Sequence, residues 1–147
     1  MELLDLNPLQ MKAVEFNHTD RCYFCKKHLF LELKRRAADL PLCDGTNHSD
    51  LSHYRPGLKA LSELKIHSPL AEAEFSKQDN REVGALIGLD HWDQAARPCM
   101  LTRLPYNQKV LASDLTALGE TETAMNRFFA GLNKGEIRFR LRKVSPE

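Results

Sequence analysis

Cys99 stands between two guanidinium groups in Arg97-Pro98-Cys99-Met100-Leu101-Thr102-Arg103-Leu104-Pro105-Tyr106. Neighbouring positive charge favours thiolate over thiol, and the thiolate is the nucleophile, so this sulfur is a candidate for covalent chemistry. A buried structural cysteine is the plainer fate of a lone thiol. A second chemically rich stretch is Asp44-Gly45-Thr46-Asn47-His48-Ser49-Asp50-Leu51-Ser52-His53-Tyr54-Arg55-Pro56-Gly57, fourteen mostly polar residues in a row. Gly45 lets backbone come close to a ligand, Thr46 and Asn47 carry hydrogen-bonding side chains, and Asp50 can accept from a hydroxyl or a metal-bound water. Arg55 is a fork-shaped donor on a turn stiffened by Pro56-Gly57. The competing account is an Asx turn running into a helix N-cap, which needs only Asn47 or Asp50 and makes the rest solvent-facing.

In Glu136-Ile137-Arg138-Phe139-Arg140-Leu141-Arg142-Lys143, side chains of a strand would alternate between faces. Arg138, Arg140 and Arg142 would then form a row suited to phosphate, although a strand with one wet face gives the same alternation. Cys22-Tyr23-Phe24-Cys25 supplies two of the four ligands of a tetrahedral zinc site, with His48 and His53, or His28 and Cys43, as sources of the others. The 22 residues between Cys25 and His48 exceed the roughly 12 of a zinc finger, so zinc is possible but not favoured.

These groups need elements to carry them. Leu29, Phe30, Leu33 and Ala37 recur at helical spacing and predict a helix over 26–40. Leu40-Pro41-Leu42-Cys43 reads as a short strand running into the polar loop, and Leu58, Leu61 and Leu64 mark a second helix before the extended Ile66-His67-Ser68-Pro69-Leu70. Ser76 with Asp79 three positions on is an N-cap for a third helix, closed by Gly88. A further helix is expected over 113–132 and a strand at the C-terminus. Helices alternating with short strands favour an α/β fold, with the polar loop at the carboxyl end of a strand, where open sheets place ligands. A change of texture near Gly88–Trp92 divides the chain into segments 1–90 and 91–147, and the apolar opening residues Leu3 to Phe16 should pack on something.

The chain of 147 residues carries 21 basic and 20 acidic side chains, a formal charge of +1, so no global field draws nucleic acid or an anionic membrane to it. No apolar run approaches a bilayer span, and the first residues lack a signal-peptide pattern, which predicts a cytoplasmic protein. Four cysteines without an export signal are expected as reduced thiols, metal ligands or catalytic groups.

Five ordered blocks resemble the LarE family: RCYFCKKHLF from Arg21, DGTNHSDLSHYRPG from Asp44, SPL from Ser68, RPCMLTRLPY from Arg97 and RFRLR from Arg138. Members of that family are ATP-dependent sacrificial sulfur transferases of nickel-pincer cofactor biosynthesis within the PP-loop, or adenine nucleotide alpha hydrolase, superfamily. The resemblance implies a Rossmann-like nucleotide domain with flanking helices, followed by a small α+β segment bearing the sulfur donor. It implies that Gly45, Thr46 and Asn47 lie against the adenylate, with Asp50 and Arg55 shaping that pocket, and that Cys99 surrenders its own sulfur. Arg103 would favour the thiolate and, with Arg138 and Arg140, hold the phosphate of a carboxylate mononucleotide substrate. ATP with Mg would be the co-substrate. The resemblance also implies an acidic metal-binding residue before the arginine pair; Glu120 and Glu122 are both available. The superfamily's phosphate loop, Ser-Gly-Gly-x-Asp-Ser, does not occur in this chain. Its backbone N–H groups hold ATP phosphates, so the resemblance implies a homo-oligomer or a partner that supplies the loop.

Overall fold

The computed structural model describes residues 3–38, 40–131 and 136–142. The helix expected to reach Leu40 ends at Ala37, while Leu132, like Lys143 at the end of the arginine row, lies outside the described residues.

Seven α-helices occur among the described residues: α1 (Lys12–Glu15), α2 (Arg21–Ala37), α3 (His48–Leu51), α4 (Pro56–Leu64), α5 (Pro69–Glu72), α6 (Lys77–Leu86) and α7 (Ala112–Phe128). Two 3-10 turns, Pro8–Gln10 and Met100–Arg103, complete the regular elements. They form two compact units, one of residues 1–6 and 20–94, the other of residues 7–19 and 95–147.

In the first unit α2 packs on α4. The helix starts at Arg21, five residues before the periodicity suggests, so Cys22 and Cys25 belong to its opening turns. Lys34, Arg35 and Arg36 occupy its last turn, where positive charge meets the negative end of the helix dipole. Pro56 opens α4 at the position where a missing N–H costs nothing, and Lys65 in the left-handed conformation closes it. Gly57 permits the close approach: a Cβ there would stand 3.0 Å from Lys26 Cδ and 3.7 Å from the Cys22 carbonyl oxygen. Phe30, Leu61 and Ile66 form the buried cluster, with Leu33, Leu42, Leu58 and Leu64 packed against it. α3 and α6 both begin with reciprocal capping boxes, Asn47 with Asp50 and Ser76 with Asp79.

The α/β expectation, with its partial Rossmann-like sheet, is overturned. Among the described residues the only β pairing is one parallel bridge between Cys43 and His67. The two extended stretches do meet there, through Asp44 N–H to the His67 carbonyl at 2.8 Å and His67 N–H to the Leu42 carbonyl at 3.1 Å. Two such bonds make no ladder, and parallel pairing is stable when several strands are buried together. The apolar side chains of both stretches, Leu42 and Ile66, are absorbed by the α2–α4 core instead.

The second unit is built around α7 and the 3-10 turn Met100–Arg103. Val14, Leu101, Val110 and Leu118 are its buried apolar residues, so part of the apolar opening segment does pack. The expected C-terminal strand is absent from residues 136–142: the chain is extended, but its amides are taken by side chains and a turn. Ile137 N–H donates to Asn126 Oδ1 at 2.7 Å and Phe139 N–H to Glu122 Oε1 at 2.9 Å. Leu141 N–H donates to the Arg103 carbonyl at 2.7 Å. The alternation that suggested a strand holds as periodic burial only over 137–140, with Ile137 and Phe139 half-buried and Arg138 and Arg140 exposed, whereas Leu141 is exposed.

Candidate functional site

The polar loop of the first unit is held by its own side chains. Asp44 Oδ2 accepts from Lys26 Nζ at 2.9 Å and Thr46 Oγ1 at 2.7 Å. Its Oδ1 accepts from Thr46 N–H at 3.1 Å and Ser68 Oγ at 2.7 Å. Burial opposes the charge on Asp44, but the donors from Ser68, Lys26 and Thr46 outweigh it and hold the carboxyl below the usual carboxylate range. Asn47 and Asp50 cap α3, and Asp50 Oδ1 also pairs with Arg55 Nη2 at 2.8 Å. Thr46 is buried. Among the expected nucleotide-binding residues Gly45 faces open space, with nothing within 4 Å of where its Cβ would be, and Arg55 is exposed. Thr46, Asn47, Asp50 and Arg55 therefore form a preorganised loop whose side chains are already engaged; the Asx-turn account holds for Asn47 and Asp50 but not for Thr46, which is buried rather than solvent-facing.

The second unit holds a cavity of about 620 Å³. Its wall comes from the loop Arg97–Met100 with Arg103, from α7 through Gly119, Glu122, Thr123 and Asn126, and from Glu136 and Ile137. Cys99 is exposed and lies on that wall rather than in apolar packing. It starts the 3-10 turn, its carbonyl accepting from Thr102 N–H at 2.9 Å and Thr102 Oγ1 at 2.8 Å.

Arg103 is the best-held charge of the unit. Its Nε and Nη2 meet Glu122 Oε1 and Oε2 at 2.8 and 2.9 Å, a bidentate pair with side chains 5% and 12% exposed. Nη1 donates to the Pro98 carbonyl at 3.1 Å and to Thr102 Oγ1 at 3.0 Å. Hydrogen bonds from Arg103 lower the Glu122 carboxyl, against burial and with help from the Phe139 amide. In return, the hydrogen bond to Glu122 raises the Arg103 proton affinity against burial, and Cys99 and Arg103 line the same cavity. Because Glu122 largely neutralises Arg103, the exposed Arg97 is the less compensated cation on this wall. Arg138 turns its Nη2 to the Ala96 carbonyl at 2.5 Å and to Glu136 Oε2 at 3.0 Å, while Arg140 is exposed.

Glu122 and Glu120 were equal alternatives by type and position. The helix separates them: Glu122 is buried on the cavity side and Glu120 is exposed. Asn126, Thr123 and Glu136 carried no signal taken singly, but Gly119, Glu122, Thr123 and Asn126 form a stripe at i, i+3, i+4 and i+7 on α7. A stripe at that spacing normally faces the core and is apolar; a polar one marks a wet or functional face. As for zinc, among the described residues no three His, Cys, Asp or Glu side chains converge on a possible metal position. No helix among them is long and apolar enough to cross a membrane.

Comparison with known proteins places relatives beside this geometry. No family model matches the chain. An uncharacterized protein of Synechocystis is 36% identical over 140 residues, 93% of this chain and 52% of that protein. An uncharacterized protein of Methanocaldococcus jannaschii is 31% identical over 140 residues, 93% of this chain and 53% of its own. The pyridinium-3,5-bisthiocarboxylic acid mononucleotide synthase of Lactiplantibacillus plantarum is 36% identical over 104 residues, 69% of this chain and 38% of the synthase. The chain thus spans about half the length of the first two relatives, and less of the third. Over those 104 residues the LarE resemblance read from the sequence has support.

Proposed function

We propose that the chain carries the sulfur-donating part of an ATP-dependent sulfur transferase acting on a pyridinium-carboxylate mononucleotide in nickel-pincer cofactor biosynthesis. The observation that carries this reading is the position of Cys99, exposed on the wall of a roomy cavity that Arg97 and Arg103 also line. Similarity to a thiocarboxylate-forming mononucleotide synthase over 104 residues supports the same chemistry.

In this reading a substrate carboxylate attacks the α-phosphate of ATP and pyrophosphate leaves. The Cys99 thiolate then attacks the acyl carbon and AMP departs, forming a thioester. Loss of the Cys99 Cα proton to solvent leaves an electron pair that forms the Cα=Cβ double bond as the Cβ–Sγ bond breaks, and sulfur departs with that bond's electrons as the thiocarboxylate. Dehydroalanine remains at position 99. Arg97, Arg138 and Arg140 supply positive charge for the substrate phosphate, and Arg103 acts next to the sulfur with its own charge balanced by Glu122. Gly45, Thr46, Asn47, Asp50 and Arg55 serve the adenylate through a loop whose shape is set by the Asp44 cage, with backbone and the open face over Gly45 nearest the ligand.

The test bypasses adenylation. The chain is incubated with a preformed acyl adenylate of a pyridinium carboxylate mononucleotide, and its peptides are weighed. The peptide containing Cys99 should lose the elements of hydrogen sulfide as thiocarboxylate forms, and Cys99→Ala should form none. An intact Cys99 in the presence of consumed adenylate overturns the proposal.

A further inference from the structure

Asn17 lies 82 residues before Cys99 and carries none of the features that draw attention to a site. It is 0% exposed. Its Nδ2 donates to the carbonyls of Leu101 at 3.2 Å, Leu104 at 3.1 Å and Pro105 at 2.9 Å, and its own carbonyl accepts from Asn107 N–H at 3.2 Å. One amide group therefore gathers the carbonyls at the end of the turn that Cys99 begins. The same turn is held from two other directions: the Arg103 side chain is tied to Glu122, and the Arg103 carbonyl accepts from Leu141. The orientation of the Asn17 amide follows from these partners, because only the NH2 end can face three carbonyls. Its Oδ1 is buried with no hydrogen-bond partner, and its backbone has φ 50°, in the left-handed region. The left-handed backbone is one asparagine adopts readily just past a helix end, but the unpaired Oδ1 costs free energy and persists only where the surroundings over-determine it.

We infer that Asn17 is a positioning residue for the Cys99 turn, fixing the 3-10 geometry that aims the sulfur along the cavity wall. The inference rests on the sulfur-donor reading for its chemical consequence, but its structural content stands apart from it. Leucine or alanine at this position would strain the backbone, whereas glycine accepts φ 50° and removes only the amide. Asn17→Gly is thus the informative variant, and Asn17→Asp, equal in shape but without a donor once ionised, is its companion, measured at high pH.

Two measurements decide the matter. Amide hydrogen exchange reads the turn directly, since Thr102 N–H bonds to the Cys99 carbonyl and Leu104 N–H to the Leu101 carbonyl. In Asn17→Gly these two amides should exchange roughly tenfold faster, the scale expected from losing one or two net hydrogen bonds, while amides in the middle of α7 stay within about twofold. With the preformed acyl adenylate, the first-order rate of Cys99 consumption at saturating donor should fall by a similar factor with the half-saturating concentration unchanged. Equal acceleration throughout α7 would show a general loss of stability and overturn the inference, as would unchanged turn amides or an unchanged rate. If Asn17→Asp preserves the turn, packing rather than donation holds it and the inference fails. Should the unaltered chain form no dehydroalanine at all, the sulfur-donor reading falls, and the exchange measurement alone decides whether Asn17 holds the turn.

Discussion

Glu122→Ala is expected to be the most damaging single change in the second unit. The carboxylate answers Arg103 Nε and Nη2 and the amide of Phe139, three charge-assisted bonds at 2.8, 2.9 and 2.9 Å. Removing one member of a buried pair leaves the other charge without compensation, at a cost of about 3–5 kcal/mol. The cavity admits water to one side of this pair, which argues for the lower end, about 3 kcal/mol. Glu122→Gln should cost less: an amide oxygen in the Oε1 position still accepts from Arg103 Nε and Phe139, and only the NH2 faces another donor. The double variant Arg103→Leu with Glu122→Leu removes both charges and should recover much of the loss, as replacing a whole pair by apolar groups often does. Stability of each protein is read from exchange of the α7 amides and from urea denaturation followed by far-UV circular dichroism. The pH dependence supplies a second check. Glu122 is depressed in the folded state, so its contribution is full above its unfolded value of about 4.3 and is lost as pH falls through the folded value. The gap between the unaltered chain and Glu122→Gln should therefore close on acidification. A cost below about 1 kcal/mol for Glu122→Ala, or a gap independent of pH down to strong acid, would refute the claim that this pair carries the cavity wall.

Asp44→Asn should destabilise the first unit by about 1–3 kcal/mol, since it removes the charge that holds Lys26 while two hydroxyls keep weaker partners. Asp44 is depressed in the folded state, so that difference also disappears as pH falls through its folded value, which a denaturation series against pH would show. Ser76→Ala should cost about 1 kcal/mol by loss of the α6 cap, measured as a lowered thermal midpoint. Asn47→Ser keeps a cap at α3, so unchanged stability with weakened ATP binding would support a ligand role for Asn47, and unchanged binding would leave it as a cap alone. Gly57→Ala gains helix propensity of up to about 1 kcal/mol while pressing on Lys26 Cδ, a flexible stem; a net change beyond about 1 kcal/mol destabilising would mean the Lys26–Asp44 bond has been broken.

Local chemistry was legible in the chain. Ser76 and Asp79 announced the α6 cap because a capping box is complete within four residues. The period-two burial of Ile137 and Phe139 was equally readable, whereas the exposure of Cys99 was not, because a lone thiol is more often a buried one. Pairing was not. Whether Leu42–Cys43 and Ile66–His67 become a sheet or a single bridge depends on what else lies beside them, and α2 with α4 takes their apolar side chains. The donors of residues 137, 139 and 141 went to Asn126, Glu122 and Arg103, partners that no periodicity names. Glu120 and Glu122 differ only by the turn of α7 that sends one to solvent and the other to Arg103, because positions two apart on a helix face opposite ways. Asn17, remote from Cys99 along the chain, meets its turn only because residues 7–19 fold into the second unit. By itself the sequence determined the residue types and their local conformations, since these depend on neighbours a few positions away. Tertiary structure alone decided which charge is paired, which amide is spoken for and which carbonyls gather around one buried side chain, since each of those is a contact made across the fold.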